Sequence, residues 1–138
     1  MIDEKIVTFL REHHLLTLAT CKENVPYCAN CFYAFIEESF RFVIASDENT
    51  KHMQFAKENP NISGTIALET KEIGKIQGLQ FCGIMEKATM GEKAHYLKTY
   101  PYAIALNPTL WSLHVKYIKF TDNRLGFGKK LEYNLEDF

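Results

Sequence analysis

Apolar residues recur along this chain at two spacings, and the switches between them lay out its elements. Ile2, Ile6, Phe9 and Leu10 fall on one helical face before His13-His14, predicting an N-terminal helix whose last carbonyls the two histidines cap. Leu15 to Thr20 reads as a first strand, Lys22-Glu23-Asn24-Val25 as a turn and Pro26 to Ile36 as a second strand. Glu37-Glu38-Ser39 turns the chain into a third, Phe40 to Ala45. That run breaks off at Ser46-Asp47-Glu48-Asn49-Thr50-Lys51-His52 and continues as Met53 to Asn59 until Pro60. This is the pattern of a strand feeding a short helix, with Asp47 or Asn49 as its N-cap. Ile62 to Leu68 is a fourth strand and Ile73 to Ala88 a long fifth. Gly91 to Tyr100 reads as a short helix and Leu110 to Thr121 as a closing strand. Asp122-Asn123 then turns into a glycine-rich tail, Arg124 to Lys130.

The fifth strand places Leu79, Phe81, Gly83 and Met85 on one face and Ile76, Gly78, Gln80, Cys82 and Ile84 on the other. Apolar groups on both faces suit a central barrel strand. Gly78 and Gly83 remove side chains where a bend, a bulge or a bound ligand comes close. Many strands joined by short turns, with no repeat or linker, predict one mainly β domain over residues 1–138 that closes into a barrel.

At 138 residues the chain is long enough to bury a core of its own. A net charge of −1 gives no basic field for nucleic acid or anionic lipid. The first residues are too charged for a signal peptide or a membrane span, so the expectation is a cytoplasmic protein. Its four cysteines, Cys21, Cys28, Cys31 and Cys82, then read as thiols. Cys28 and Cys31 invite a zinc reading, but three residues apart on a strand they face opposite ways and no second pair completes a site, so no metal is expected.

The corner after the third strand carries the candidate chemistry. A helix start presents unpaired N–H groups and the positive end of its dipole, which suits an anion. The Ser46 and Thr50 hydroxyls and the Lys51 cation sit there, which makes a phosphate site the first hypothesis. The competing reading is that Asp47 and Glu48 satisfy the helix end themselves and that Lys51 is a solvated lysine.

The order of these elements, with a Trp in the closing strand, resembles the split barrel of pyridoxamine 5′-phosphate oxidase and its relatives. More narrowly, Ile118 to Lys130, Cys28 to Tyr33 and Gly78 to Gly83 resemble a bacterial branch of that superfamily. The resemblance implies a six-stranded split β-barrel of the FMN-binding type, with FMN held at a homodimer interface and a small-molecule substrate. It implies phosphate contacts from Ser46, Thr50 and Lys51, with Thr50 standing where a first cation commonly sits and His52 as a possible assistant. It also implies ring contacts from Asn30, Cys31 and Phe32 of the second strand and Gln80 of the fifth, and an aromatic wall from the partner subunit's Trp111.

The chain keeps Arg124-Leu125 of the oxidase's substrate-gripping element but continues Gly126-Phe127-Gly128. Pyridoxamine phosphate as substrate is therefore not expected. Arg124, Lys129 and Lys130 then read as surface charge or as a dimer closure. Flavin chemistry asks for no catalytic triad, and none is present; His114 is a candidate proton donor if it faces the pocket. The expected activity is that of a flavin-dependent oxidoreductase or reductase. The alternatives are a haem-binding split barrel and a non-catalytic flavin-binding or interaction protein.

Overall fold

The computed structural model describes residues 2–126 and 129–135. Helix α1, Glu4–Glu12, starts at Asp3, whose carboxylate accepts the Lys5 N–H at 2.8 Å, and buries Ile6, Val7, Phe9 and Leu10. His13 closes it, with Nδ1 at 2.8 Å from the Phe9 carbonyl. Strands β1, Leu15–Lys22, and β2, Val25–Ile36, form a hairpin. Its two turn residues, Glu23 and Asn24, both have positive φ, of 49° and 67°. Two left-handed residues in a tight turn match the right-handed twist of the flanking strands.

Strand β3, Arg41–Ala45, leads to helix α2, Lys51–Glu58, and β4 follows as Asn61–Ala67. Strand β5 is Gln77–Lys87, helix α3 is Met90–Thr99, and β6 is Leu110–Asp122. The sheet runs β3-β2-β1-β4-β5-β6, and antiparallel pairing of β3 with β6 closes it into a six-stranded barrel. β6 is the long member. Its first half pairs with β3 and its second half with a short β7, Lys130–Asn134, while β5 runs along its other edge.

The barrel interior is aromatic: Phe42, Phe81 and Phe120 are fully buried, and Phe9 of α1 meets Phe120 edge-on at 5.2 Å. A second, smaller cluster of Ala34, Val43, Tyr96, Ala103 and Leu110 packs α3 on the outside of β2, β3 and β6. None of the described helices is long and apolar enough to cross a membrane.

The two faces of the fifth strand are as the alternation predicts, with Leu79, Phe81, Gly83 and Met85 buried. Four boundaries differ. Thr50, not Asp47 or Asn49, is the N-cap of α2, because its hydroxyl reaches the Met53 N–H and the Asp47 carboxylate is taken by the Asn49 N–H. Phe40 leaves the third strand because its φ is 49°, completing the turn from Glu37. The fifth strand begins at Gln77, since Ile73–Lys75 coil into one 3-10 turn that exposes Ile73. The tail contributes β7, which the glycines around it concealed.

Cys28 and Cys31 face opposite sides, one exposed and one buried. Among the described residues no His, Cys, Asp and Glu cluster could hold a metal ion.

Candidate functional site

The corner between β3 and α2 is tied down from three directions. The Ser46 N–H donates to the Thr109 carbonyl at 3.0 Å, and the Trp111 indole N–H donates to the Ser46 carbonyl at 2.9 Å. The Asp47 carbonyl accepts both the N–H and the hydroxyl of Thr50, at 3.2 and 2.9 Å. Glu48 reaches Lys57 in the last turn of α2, 3.3 Å away. Neither carboxylate of the corner therefore covers the N–H groups of the first turn.

His52 completes the corner. Its Nε2 lies 2.5 Å from Ser46 Oγ and 3.3 Å from Thr50 Oγ1. Burial disfavours the imidazolium and lowers its pKa below the ordinary 6.5. Lys51 is elsewhere: its Nζ stands 4.9 Å from the Tyr27 ring centre and 5.9 Å from that of Phe55. Two aromatic faces hold the ammonium. The structure thus brings Ser46, Thr50 and His52 together and turns the Lys51 side chain to the β1–β2 side of α2. His52 is the member that sequence reasoning left at the margin. Its signal was the spacing to Ser46, which a strand-to-helix turn folds back to contact distance.

As a cradle for phosphate this donor set fits. It combines the Ser46 hydroxyl, backed by the His52 imidazole, with the Lys51 and His52 backbone N–H groups, which precede any intrahelical acceptor.

The other predicted residues divide by face. Asn30, Phe32 and Gln80 lie on the outside of the barrel. Cross-strand pairing sets Asn30 beside Thr17, Thr17 beside Thr65, Thr65 beside Gln80 and Gln80 beside Lys119, a polar row across five strands. Thr17 Oγ1 donates to Asn30 Oδ1 at 3.0 Å. Phe32 is 54% exposed and lies between the rings of His14, at 5.6 Å, and Tyr100, at 6.0 Å.

Cys31 and Trp111 point inward. The Cys31 thiol is buried, and burial pushes its pKa up to about 11, the opposite of what a redox thiol requires. The Trp111 indole is buried in the barrel of its own chain, where it braces the corner through Ser46.

His114 shares an outer cross-strand row with Ile84 and Arg41. Arg41 binds Glu86 at 2.9 Å and the buried Ser112 hydroxyl at 3.1 Å, and Ser112 donates to Glu92 at 2.8 Å. Burial alone would raise the Glu92 pKa. Bonds from Thr89 and Ser112, with the Arg41 charge, outweigh burial and hold it low. These four residues fasten the start of α3 to the barrel.

Arg124 grips Asp122 with two guanidinium bonds, of 3.1 and 2.9 Å. Lys130 opens β7, with Lys129 just before it. Phe127 and Gly128 of the tail lie outside the described residues.

No family model matches the chain. Solved structures share its fold. A haem-binding protein from Mycobacterium smegmatis superposes at TM-score 0.77 and 17% identity, over 92% of this chain and 55% of that one. This chain thus spans about half of that protein. A FAD-binding protein from Mesorhizobium loti superposes at TM-score 0.69 and 12% identity, over 86% and 92%. HutZ, the haem storage protein of Vibrio cholerae, does so at 0.65 and 16%, over 82% and 89%.

At these identities the likeness shows the split barrel alone, on which named neighbours bind flavin in one case and haem in others. Sequence relatives reach further. A UPF0306 protein of Photorhabdus laumondii is 38% identical over 128 residues, 89% of each chain. One from Klebsiella pneumoniae is 35% identical over 129 residues, 91% of this chain and 88% of its own. On that similarity, which spans nearly the whole length of both partners, the chain belongs to the UPF0306 family.

Proposed function

We propose that this protein binds FMN at a homodimer interface and works as a flavin-dependent oxidoreductase or reductase on a small substrate. The observation that carries the reading is the corner of Ser46 and His52 at the start of α2, with Asp47 and Glu48 both bonded elsewhere. A phosphate there sits on hydroxyl and N–H donors at the positive end of the helix. Asn30, Phe32 and Gln80 offer amide and aromatic contacts on the outer face. Bound flavin would supply the hydride or electron transfer; the protein's part is to hold and orient it.

The test is a titration of purified protein with FMN, read by quenching of flavin fluorescence, alongside light scattering to fix the oligomer. Saturable binding by a dimer supports the reading. A colourless dimer that ignores FMN leaves an interaction protein instead.

A second reading, haem binding, is favoured by His14. This exposed imidazole stands against Phe32, beside Leu15 at 45% exposed, an apolar surface next to a nitrogen of the type that ligates haem iron. A Soret band on adding haemin, lost in His14→Ala, would select it.

A further inference from the structure

Hydrogen-bond directions around His52 give it a definite task. The Thr50 hydroxyl lies 2.9 Å from the Asp47 carbonyl, which has no proton to give, so the Thr50 proton points there. The same oxygen accepts the Met53 N–H at 3.4 Å. Toward His52 Nε2, 3.3 Å away, Thr50 thus presents a lone pair. A ring nitrogen facing a lone pair is favoured in its N–H form. With the proton on Nε2, the 2.5 Å contact to Ser46 Oγ is a bond donated by the imidazole. The Ser46 oxygen is then satisfied as an acceptor, and its own proton is left for a group outside the chain.

We propose that His52 is a positioning residue: it donates from Nε2 to Ser46 and thereby turns the Ser46 hydroxyl proton onto the phosphate of the bound flavin. The corner would in this way select phosphorylated over unphosphorylated flavin. The inference rests on the flavin reading above and deepens it. Three charged residues of the corner itself are occupied otherwise: Lys51 over Tyr27 and Phe55, Glu48 on Lys57, Asp47 on the Asn49 N–H. Trp111 pins the Ser46 carbonyl, so the serine keeps its aim. Burial disfavours the imidazolium, and the neutral ring it favours has one proton and hence one donor direction.

The experiment compares FMN with riboflavin, by fluorescence titration, on wild type, Ser46→Ala, His52→Ala, His52→Gln and the Ser46→Ala/His52→Ala double variant. Circular dichroism establishes that each is folded. Loss of a hydrogen bond to a charged group corresponds to about tenfold to a hundredfold in affinity. Ser46→Ala should weaken FMN by that factor, His52→Ala should weaken it by a smaller but measurable factor, and both should leave riboflavin unchanged. His52→Gln, whose amide N–H reaches about the place of Nε2–H, should recover most of the loss. The double variant should bind FMN no worse than Ser46→Ala, because the two residues act in series and His52 has nothing to position once Ser46 is gone.

Equal losses for both flavins, additive losses in the double variant, or a Gln variant as weak as Ala would overturn the inference. Wild type that binds riboflavin as tightly as FMN overturns it too, while the flavin reading survives. Binding of neither flavin removes both.

Discussion

Two glycines of β5 offer a sharp test, because the structure treats them differently. Opposite Gly83 the register of β5 on β6 skips: Cys82 faces Tyr117 and Gly83 faces Val115, so Lys116 is the extra residue of a bulge. The bulge presses the strands together. A Cβ on Gly83 would stand 2.2 Å from the His114 carbonyl oxygen and 3.1 Å from the Val115 Cα, both backbone atoms. On Gly78 the nearest atom is the Ile66 carbonyl oxygen at 3.6 Å, ordinary contact.

Forcing a methyl into filled space costs about 1–3 kcal/mol, occasionally more, and a contact with unyielding backbone belongs at the upper end. The lower entropy of the unfolded alanine chain offsets about 0.4–1 kcal/mol. Gly83→Ala should therefore lose about 2 kcal/mol net, and Gly78→Ala should be neutral or gain a few tenths. For a domain of this size the loss corresponds to a melting temperature lower by roughly 5–12 °C. Thermal and urea melts followed by circular dichroism read both variants. A Gly83→Ala protein that melts within a degree of wild type, or a Gly78→Ala protein damaged as much, would refute the steric account.

Three further outcomes follow from the titratable groups. In native protein at pH 8, iodoacetamide should label exposed Cys28 readily and leave Cys31 unmodified until denaturant is added, since burial raises that thiol to about 11; mass mapping of the labelled peptides decides. Burial lowers the His52 pKa, so unfolding takes up a proton as pH falls below the ordinary 6.5. Its contribution is fully present above 6.5 and declines as pH drops through the lowered value, so wild type should lose more stability than His52→Gln between pH 7.5 and 5, and parallel melts would contradict this. Bonds from Arg124 hold the Asp122 pKa below its usual 3.8, so that stability is present above 3.8 and lost as pH falls further; the acid limb of the urea midpoint should be shallower in Arg124→Ala.

The barrel was legible because the signals agreed at each level. Period-two alternation in the fifth strand, Asn24 in a tight turn and Pro60 after a helical run each have one local meaning, and closure follows from their number. β7 was hidden because Leu131 and Tyr133 carry an alternation only two members long beside glycines. The cap of α2 went to Thr50 because three residues at the corner, Asp47, Asn49 and Thr50, all suit a cap and only the path of the chain selects one.

Of the candidate site, the sequence located the corner but not its wiring. Lys51 is one residue from His52, and one residue on a helix is a rotation of about 100°. That rotation sends the lysine to Tyr27 and the histidine to Ser46. The inward turn of Trp111 likewise depends on which face the first half of β6 presents, and the bulge at Lys116 separates that half from the second.

The seam between β3 and β6 has a bearing on how the protein is made. The Arg41–Ser112 bond beside that seam joins positions 71 residues apart. During synthesis β3 waits with one side unpaired until β6, 71 residues further along at the Arg41–Ser112 pair, has been delivered, and such naked strand borders invite neighbours to add on. Yield on overexpression should thus depend on temperature and chaperone supply more than the stability of the finished barrel would suggest.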